Sequence, residues 1–261
     1  MSLELSHIAH GDEHGGERPP VVIMHGLLGS ARNWSSLARQ LGATRRVFAL
    51  DLRNHGASPW ADEMNYDQMA EDVRAFLAHQ GLPAAAVIGH SMGGKVAMRL
   101  ALAHGEQVLR LVVVDIAPVA YHRAFHAYVE AMRALDLSQI SRRAEADALL
   151  ADQIDDAGVR GFLLQNLVNG EDGLVWRVPL DALARNMPDI LGFPGPRDDE
   201  RYEGPTLFVT GGRSDYVRPE HHAGILRLFP NARFETIPDA GHWVHAEQPQ
   251  KFFEVVGSFL A

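Results

Sequence analysis

The chain has 261 residues, 46% hydrophobic and 22% charged, and contains no cysteine. That composition suits a soluble globular protein and excludes a disulfide scaffold, a thiolate nucleophile, an iron–sulfur cluster and Cys-ligated zinc. With 24 Lys+Arg against 33 Asp+Glu the formal charge is -9 and no basic cluster stands out, which argues against nonspecific binding to nucleic-acid phosphates.

Positions 1–16 are polar and lack a basic segment followed by an apolar run, so no secretory signal is expected there. No apolar run approaches the roughly 20 residues that span a bilayer. A cytoplasmic protein without a membrane span is the expectation. The first strand-like run is 20–24, ending in His25-Gly26. A helical pattern follows at 34–41, then a strand at 46–50 ending at Asp51. Positions 66–80 place Met69, Val73, Phe76 and Leu77 on one helical face, with Gly81 as a stop. A strand at 85–88 runs into Gly89-His90-Ser91, and a helix over 92–104 follows directly. The fourth strand, 111–114, ends at Asp115.

From 120 the alternation stops. Four helix-like segments, 121–135, 142–154, 159–167 and 178–191, show little strand character between them. Alternation resumes with a strand at 206–210, a helix at 220–228, a strand at 233–237 and a helix at 247–260. The strand runs are near-continuously apolar, as parallel strands covered on both faces are. The expected fold is therefore α/β, a mostly parallel doubly wound sheet. Its core would comprise 1–119 and 205–261, with 120–204 inserted as a helical cap. Ligands in such sheets sit at the carboxyl ends of the strands, where the notable residues fall.

Gly89-His90-Ser91-Met92-Gly93 fits G-x-S-x-G between a strand and a helix. There a tight turn exposes the serine hydroxyl, and small residues on either side leave room for it. A serine hydroxyl needs a base, and the base a carboxylate to orient it. His242, in Ala240-Gly241-His242-Trp243 after the last strand, is placed to be that base. His90 should point away from Ser91 and reads as a packing residue. Attack on an acyl carbonyl creates a negative oxygen. Two backbone N–H groups would stabilise it, that of Met92 and that of Leu27, with Leu28 as its alternative, in His25-Gly26-Leu27-Leu28-Gly29-Ser30. The residues leave the acid open. Asp215 follows the strand before the one that carries the histidine, and Asp115 follows the strand after the nucleophile. Asp51-Leu52-Arg53-Asn54-His55-Gly56 reads as a structural turn in which Arg53 or Asn54 pins neighbouring loops.

Together these segments resemble the α/β-hydrolase superfamily. Within it they are similar to the YbfF-type esterases and their mitochondrial relatives of the abhydrolase-domain eleven type. The stretches that carry the resemblance include Asp51-Leu52-Arg53-Asn54-His55-Gly56, Gly89 to Lys95, Val113 to Pro118, Trp176-Arg177-Val178, Gly211 to Tyr216 and Ala240 to His245. The resemblance implies a serine esterase or thioesterase that uses Ser91 and His242 and needs no cofactor or metal. It favours Asp115 as the acid, with Ser214 assisting by a hydrogen bond. The chain departs from that pattern by also carrying Asp215.

The inserted helices should supply a pocket, with Leu28, Tyr121, Phe125, Phe162, Trp176 and Trp243 as candidate lining residues. Aromatic residues at helical spacing also pack cores, so each has that second reading. No arginine cluster marks an anion grip, and Arg53, Arg123 and Arg177 stay open as single candidates for one. An apolar pocket suits short to medium acyl esters or thioesters as small-molecule partners. The same fold also supports cofactor-free C–C bond hydrolysis, perhydrolysis and inactive binding modules. A serine nucleophile excludes dehalogenase and epoxide-hydrolase chemistry, and a full Ser, His and Asp set argues against an inactive module.

Overall fold

The structure is a computed structural model, and it describes residues 2–11, 18–121, 125–195 and 200–261. The chain runs β1 (His7–His10), β2 (Val21–Met24), α1 (Ser35–Gly42), β3 (Val47–Leu50), α2 (Tyr66–His79), β4 (Ala85–His90), α3 (Met92–Ala103) and β5 (Val108–Val114). It continues with α4 (Phe125–Arg133), α5 (Arg143–Leu150), α6 (Ala157–Leu163), β6 (Leu167–Asn169), β7 (Leu174–Trp176) and α7 (Leu180–Leu191). Then come β8 (Thr206–Gly211), α8 (Pro219–Leu228), β9 (Ala232–Ile237), α9 (Val244–Glu247) and α10 (Pro249–Leu260).

Seven strands form one sheet in the order β1-β3-β2-β4-β5-β8-β9. Every pairing is parallel except β1 with β3. Alternate residues of each central strand serve opposite faces. Val22 and Met24 of β2 join Phe48, Val87 and Val113 in one core with α2 and α3. Val21 and Ile23 join Ala49, Ile88 and Val114 in the other, with α1 and α10. Burial on both faces is why these strands read as unbroken apolar runs, each large side chain contributing about 1.5–3 kcal/mol of transfer free energy. β1 escaped the sequence reading because it is a half-buried edge strand, His7-Ile8-Ala9-His10, with no apolar run.

Residues 115–205 connect β5 to its parallel neighbour β8. They contain α4 to α7, as the spacing predicts, and also an antiparallel hairpin of β6 and β7. Three-residue strands are too short to show a period of two, so the helical reading of 159–167 ran into β6. The predicted helix at 121–135 begins at Phe125 among the described residues, since 122–124 lie outside them. Among the described residues no helix is long and apolar enough to cross a membrane.

Candidate active site

The site assembles where β2, β4, β5, β8 and β9 end. At the end of β4 the chain turns from strand to helix within one residue. Ser91 sits there with φ +51° and ψ -119°, a conformation non-glycine residues rarely adopt. Its N–H donates to the Val114 carbonyl at 3.0 Å, which fastens the turn to β5. Glycines allow the turn to close. A Cβ on Gly89 would strike the Gly93 carbonyl, and one on Gly93 would strike the backbone of Met24 and His25. Ser91 is buried, and α3 begins immediately after it with Met92.

Asp115 follows β5 directly, also at positive φ (+49°), and is wholly buried. Its Oδ2 lies 2.7 Å from His242 Nδ1 and accepts from Ser214 Oγ at 2.5 Å, while Oδ1 accepts from the Gly211 amide at 3.1 Å. The three donors hold the carboxylate in place, and its contact at Nδ1 orients the imidazole with an N–H on that nitrogen. Asp215 stands one residue beyond Ser214 on the loop after β8, exposed. Both acids follow strand ends, Asp115 after β5 and Asp215 just beyond β8, and the pairing of β5 with β8 sets Asp115 beside the loop that carries Ser214.

His242 reaches the site from the loop after β9. Its ring stacks on Tyr216 with centroids 3.8 Å apart and planes 14° apart. His90 Nε2 donates to the His242 carbonyl at 2.9 Å. Burial among neighbouring imidazoles holds His90 well below the ordinary histidine range, so it braces the loop as a neutral ring. Among the described residues His242 Nε2 has no hydrogen-bond partner, although it is buried.

Two further histidines hold the loop after β2. The His25 ring donates from Nδ1 to the Gly26 carbonyl at 2.8 Å and accepts the Leu52 amide on Nε2 at 3.0 Å. The His55 ring donates to the Arg53 carbonyl at 2.9 Å and accepts the Leu28 amide at 3.0 Å. A ring that donates once and accepts once must be neutral. Burial lowers His25 to about 4 and His55 to about 3, which keeps them so. From the sequence, His55 reads only as part of a structural turn. The turn itself is pinned as expected: Arg53 pairs with Asp72 at 2.7 Å and the Asn54 amide donates to the Ala61 carbonyl at 3.0 Å. The Leu28 amide is thus engaged, whereas the amides of Leu27 and Met92 donate to no protein acceptor among the described residues.

A cavity of about 340 Å³ opens over Ser91 and His242, and Leu27, Phe125, Phe162 and Trp243 are among the residues lining it. Three of the expected lining residues do not line it. Leu28 is buried in the core beside the sheet, because its φ of +62° turns the side chain inward while His55 and Asn166 hold its backbone. Trp176 ends the β6–β7 hairpin and lines an outer groove with Trp60. Tyr121 faces a separate small hollow on the other side of Ser91. Arg53 is occupied by Asp72, and Arg123 lies outside the described residues.

A carboxylate-held imidazole and a strained serine at a strand-to-helix turn meet at the strand ends of a doubly wound sheet, the arrangement of a hydrolase-type site. The family model described as the alpha/beta hydrolase fold matches residues 19–249, and the chain belongs to that family. It is 45% identical over 251 residues to the sn-1-specific diacylglycerol lipase ABHD11 of Mus musculus, covering 93% of this chain and 81% of that one. It is 38% identical over 261 residues to Esterase YbfF of Escherichia coli, covering 100% of this chain and 99% of that one. Among solved structures it matches a marine microorganism esterase with a TM-score of 0.93 at 39% identity, covering 99% of this chain and 100% of that one.

Proposed function

We propose that this protein is a serine esterase in which Ser91, His242 and Asp115 form the catalytic triad. The observation that carries the reading is His242, which is held through Nδ1 by a buried carboxylate while Nε2 is left without a partner beside Ser91. Kinship with named esterases and a lipase supports ester hydrolysis.

In this reading Ser91 Oγ attacks the ester carbonyl as His242 Nε2 takes its proton. The carbonyl π electrons move onto oxygen, and the Leu27 and Met92 amides hold that oxyanion. Collapse breaks the C–O bond to the alcohol, and His242 returns its proton to the departing oxygen. Water then repeats the sequence on the acyl-enzyme and releases the acid. Asp115 keeps the imidazole in the right tautomer and faces the imidazolium when it forms, and Ser214 holds the other side of that carboxylate. Residues 120–204 act as a cap that closes the strand ends and selects short to medium acyl esters or thioesters.

The test is labelling by a fluorophosphonate probe together with turnover of 4-nitrophenyl esters. Ser91→Ala should abolish labelling and lower kcat by about 10⁴-fold or more. Turnover retained by Ser91→Ala, or none with any ester by the native protein, overturns the proposal.

A further inference from the structure

Ser91 stands between two hollows of very different size. The cavity of about 340 Å³ contains His242. On the other flank is a hollow of about 30 Å³, walled by Tyr66, Met92, Lys95, Tyr121 and Ile190, with no part of His242. Leu27, Ser91 and Phe125 line both and form the neck between them.

The chemistry decides which half of an ester goes where. The imidazole that takes the serine proton must return it to the leaving alcohol oxygen, so the alcohol departs on the side of His242. The acyl substituent remains attached to Ser91 Oγ and extends away from it. We propose that the substrate is an ester of a short acyl group with a bulky alcohol. The acyl tail lies in the hollow ended by Lys95, and the alcohol lies in the large cavity. The proposal rests on the esterase reading above and narrows it.

The small hollow is a built wall. A single water needs about 10–15 Å³ of such space, so this hollow accepts about two such groups beyond the carbonyl carbon. The Lys95 amine reaches up from α3 and donates to the Leu191 carbonyl at 3.0 Å and the Gly192 carbonyl at 2.5 Å, at the end of α7. It lies 4.9 Å from the Tyr121 ring centre and 5.5 Å from that of Tyr66. The Tyr66 hydroxyl donates to the Ile190 carbonyl at 2.5 Å and that of Tyr121 to the Tyr216 carbonyl at 2.6 Å. The polar groups of the wall are therefore turned to the backbone, not to a ligand. Burial lowers Lys95 to about 7, and two of its N–H groups are taken by these carbonyls. Lys95 is thus a specificity-determining residue that ends the acyl subsite.

Two ester series test this. In one the acyl group lengthens from acetate to octanoate on 4-nitrophenol, and in the other the alcohol grows from methyl to 2-naphthyl on acetate. For the native protein kcat/KM should fall about 10-fold or more from propionate to hexanoate, and hold or rise as the alcohol grows. Lys95→Met and Ile190→Ala should each move the acyl optimum toward longer chains. If Lys95→Met fails to fold, Ile190→Ala still reads the same wall. Native preference for hexanoate over acetate, or an unmoved optimum in every folded variant, overturns the proposal while leaving the esterase reading standing. No turnover and no labelling of Ser91 overturns both.

Discussion

The strand ends and the segment between β5 and β8 are built on different physical terms. At the strand ends polar groups are buried and tied down: His25, His55, His90 and Asp115 each make at least one short hydrogen bond, mostly to backbone. In the segment between, Asn166 is buried but most of the ion pairs are exposed. Arg133–Glu130, Arg142–Glu145 and Arg185–Asp62 are exposed ion pairs. Such pairs contribute about 0–1 kcal/mol each, so this segment is held mainly by its apolar face. The buried polar contacts lie at the strand ends, while Phe125 and Phe162 of the inserted segment line part of the cavity beside them.

The largest effect that would break this comparison is at Asp115. Asp115→Asn keeps the shape but removes the charge that selects the His242 tautomer, so kcat should fall by about 10⁴-fold. Asp215→Asn, on the exposed loop, should stay within about threefold of native. Steady-state kinetics on a short-chain ester reads both, and the reverse order of effects would move the carboxylate role to Asp215.

The next effect is acid sensitivity of the strand ends. His25 and His55 are neutral when folded, with values of about 4 and 3, against about 6.5 in the unfolded chain. Their folded values are depressed, so their full contribution is present above pH 6.5. It is lost as the pH falls from there toward 4 and 3. At pH 5 the two together should have withdrawn about 4 kcal/mol of stability. Urea unfolding at pH 7.5 and pH 5 measures this loss together with that of the buried His90 and His245, and His55→Gln should remove about 2 kcal/mol of it. Equal stability at both pH values in the native protein would show that these rings are not held neutral.

The smallest effect sharpens the contrast from the other side. Phe162 of α6 touches the cavity and packs 5.7 Å from the Trp243 ring. Phe162→Ala should raise KM for a bulky ester by up to about tenfold and leave labelling of Ser91 intact. Loss of labelling would mean that the inserted segment also positions the chemistry.

Six of the seven strands of the main sheet, the four inserted helices, and Ser91 and His242 as candidates could be read in the sequence. They are legible because their signals are local: an apolar run, a helical spacing, a glycine-flanked serine at a strand-to-helix junction. The half-buried edge strand β1 and the three-residue β6 and β7 are too polar or too short to carry such a signal. Leu28 and Trp176 were misplaced for a different reason. An apolar side chain in a loop or hairpin gives no indication of which way it turns, and the positive φ at Leu28 and the outward hairpin decided it.

By itself the sequence determined the fold class, the absence of any thiol chemistry, and the serine and histidine on which a hydrolase reading rests. Those follow from composition and from patterns within a few residues. Only the tertiary structure decided which aspartate meets His242, which imidazoles are kept neutral, and how unequal the hollows beside Ser91 are. Each of these depends on which strands are neighbours in the sheet and on what α7 and α4 bring against it. Such contacts join residues as far apart as Asp115 and His242, or Lys95 and Gly192, and no local pattern records them.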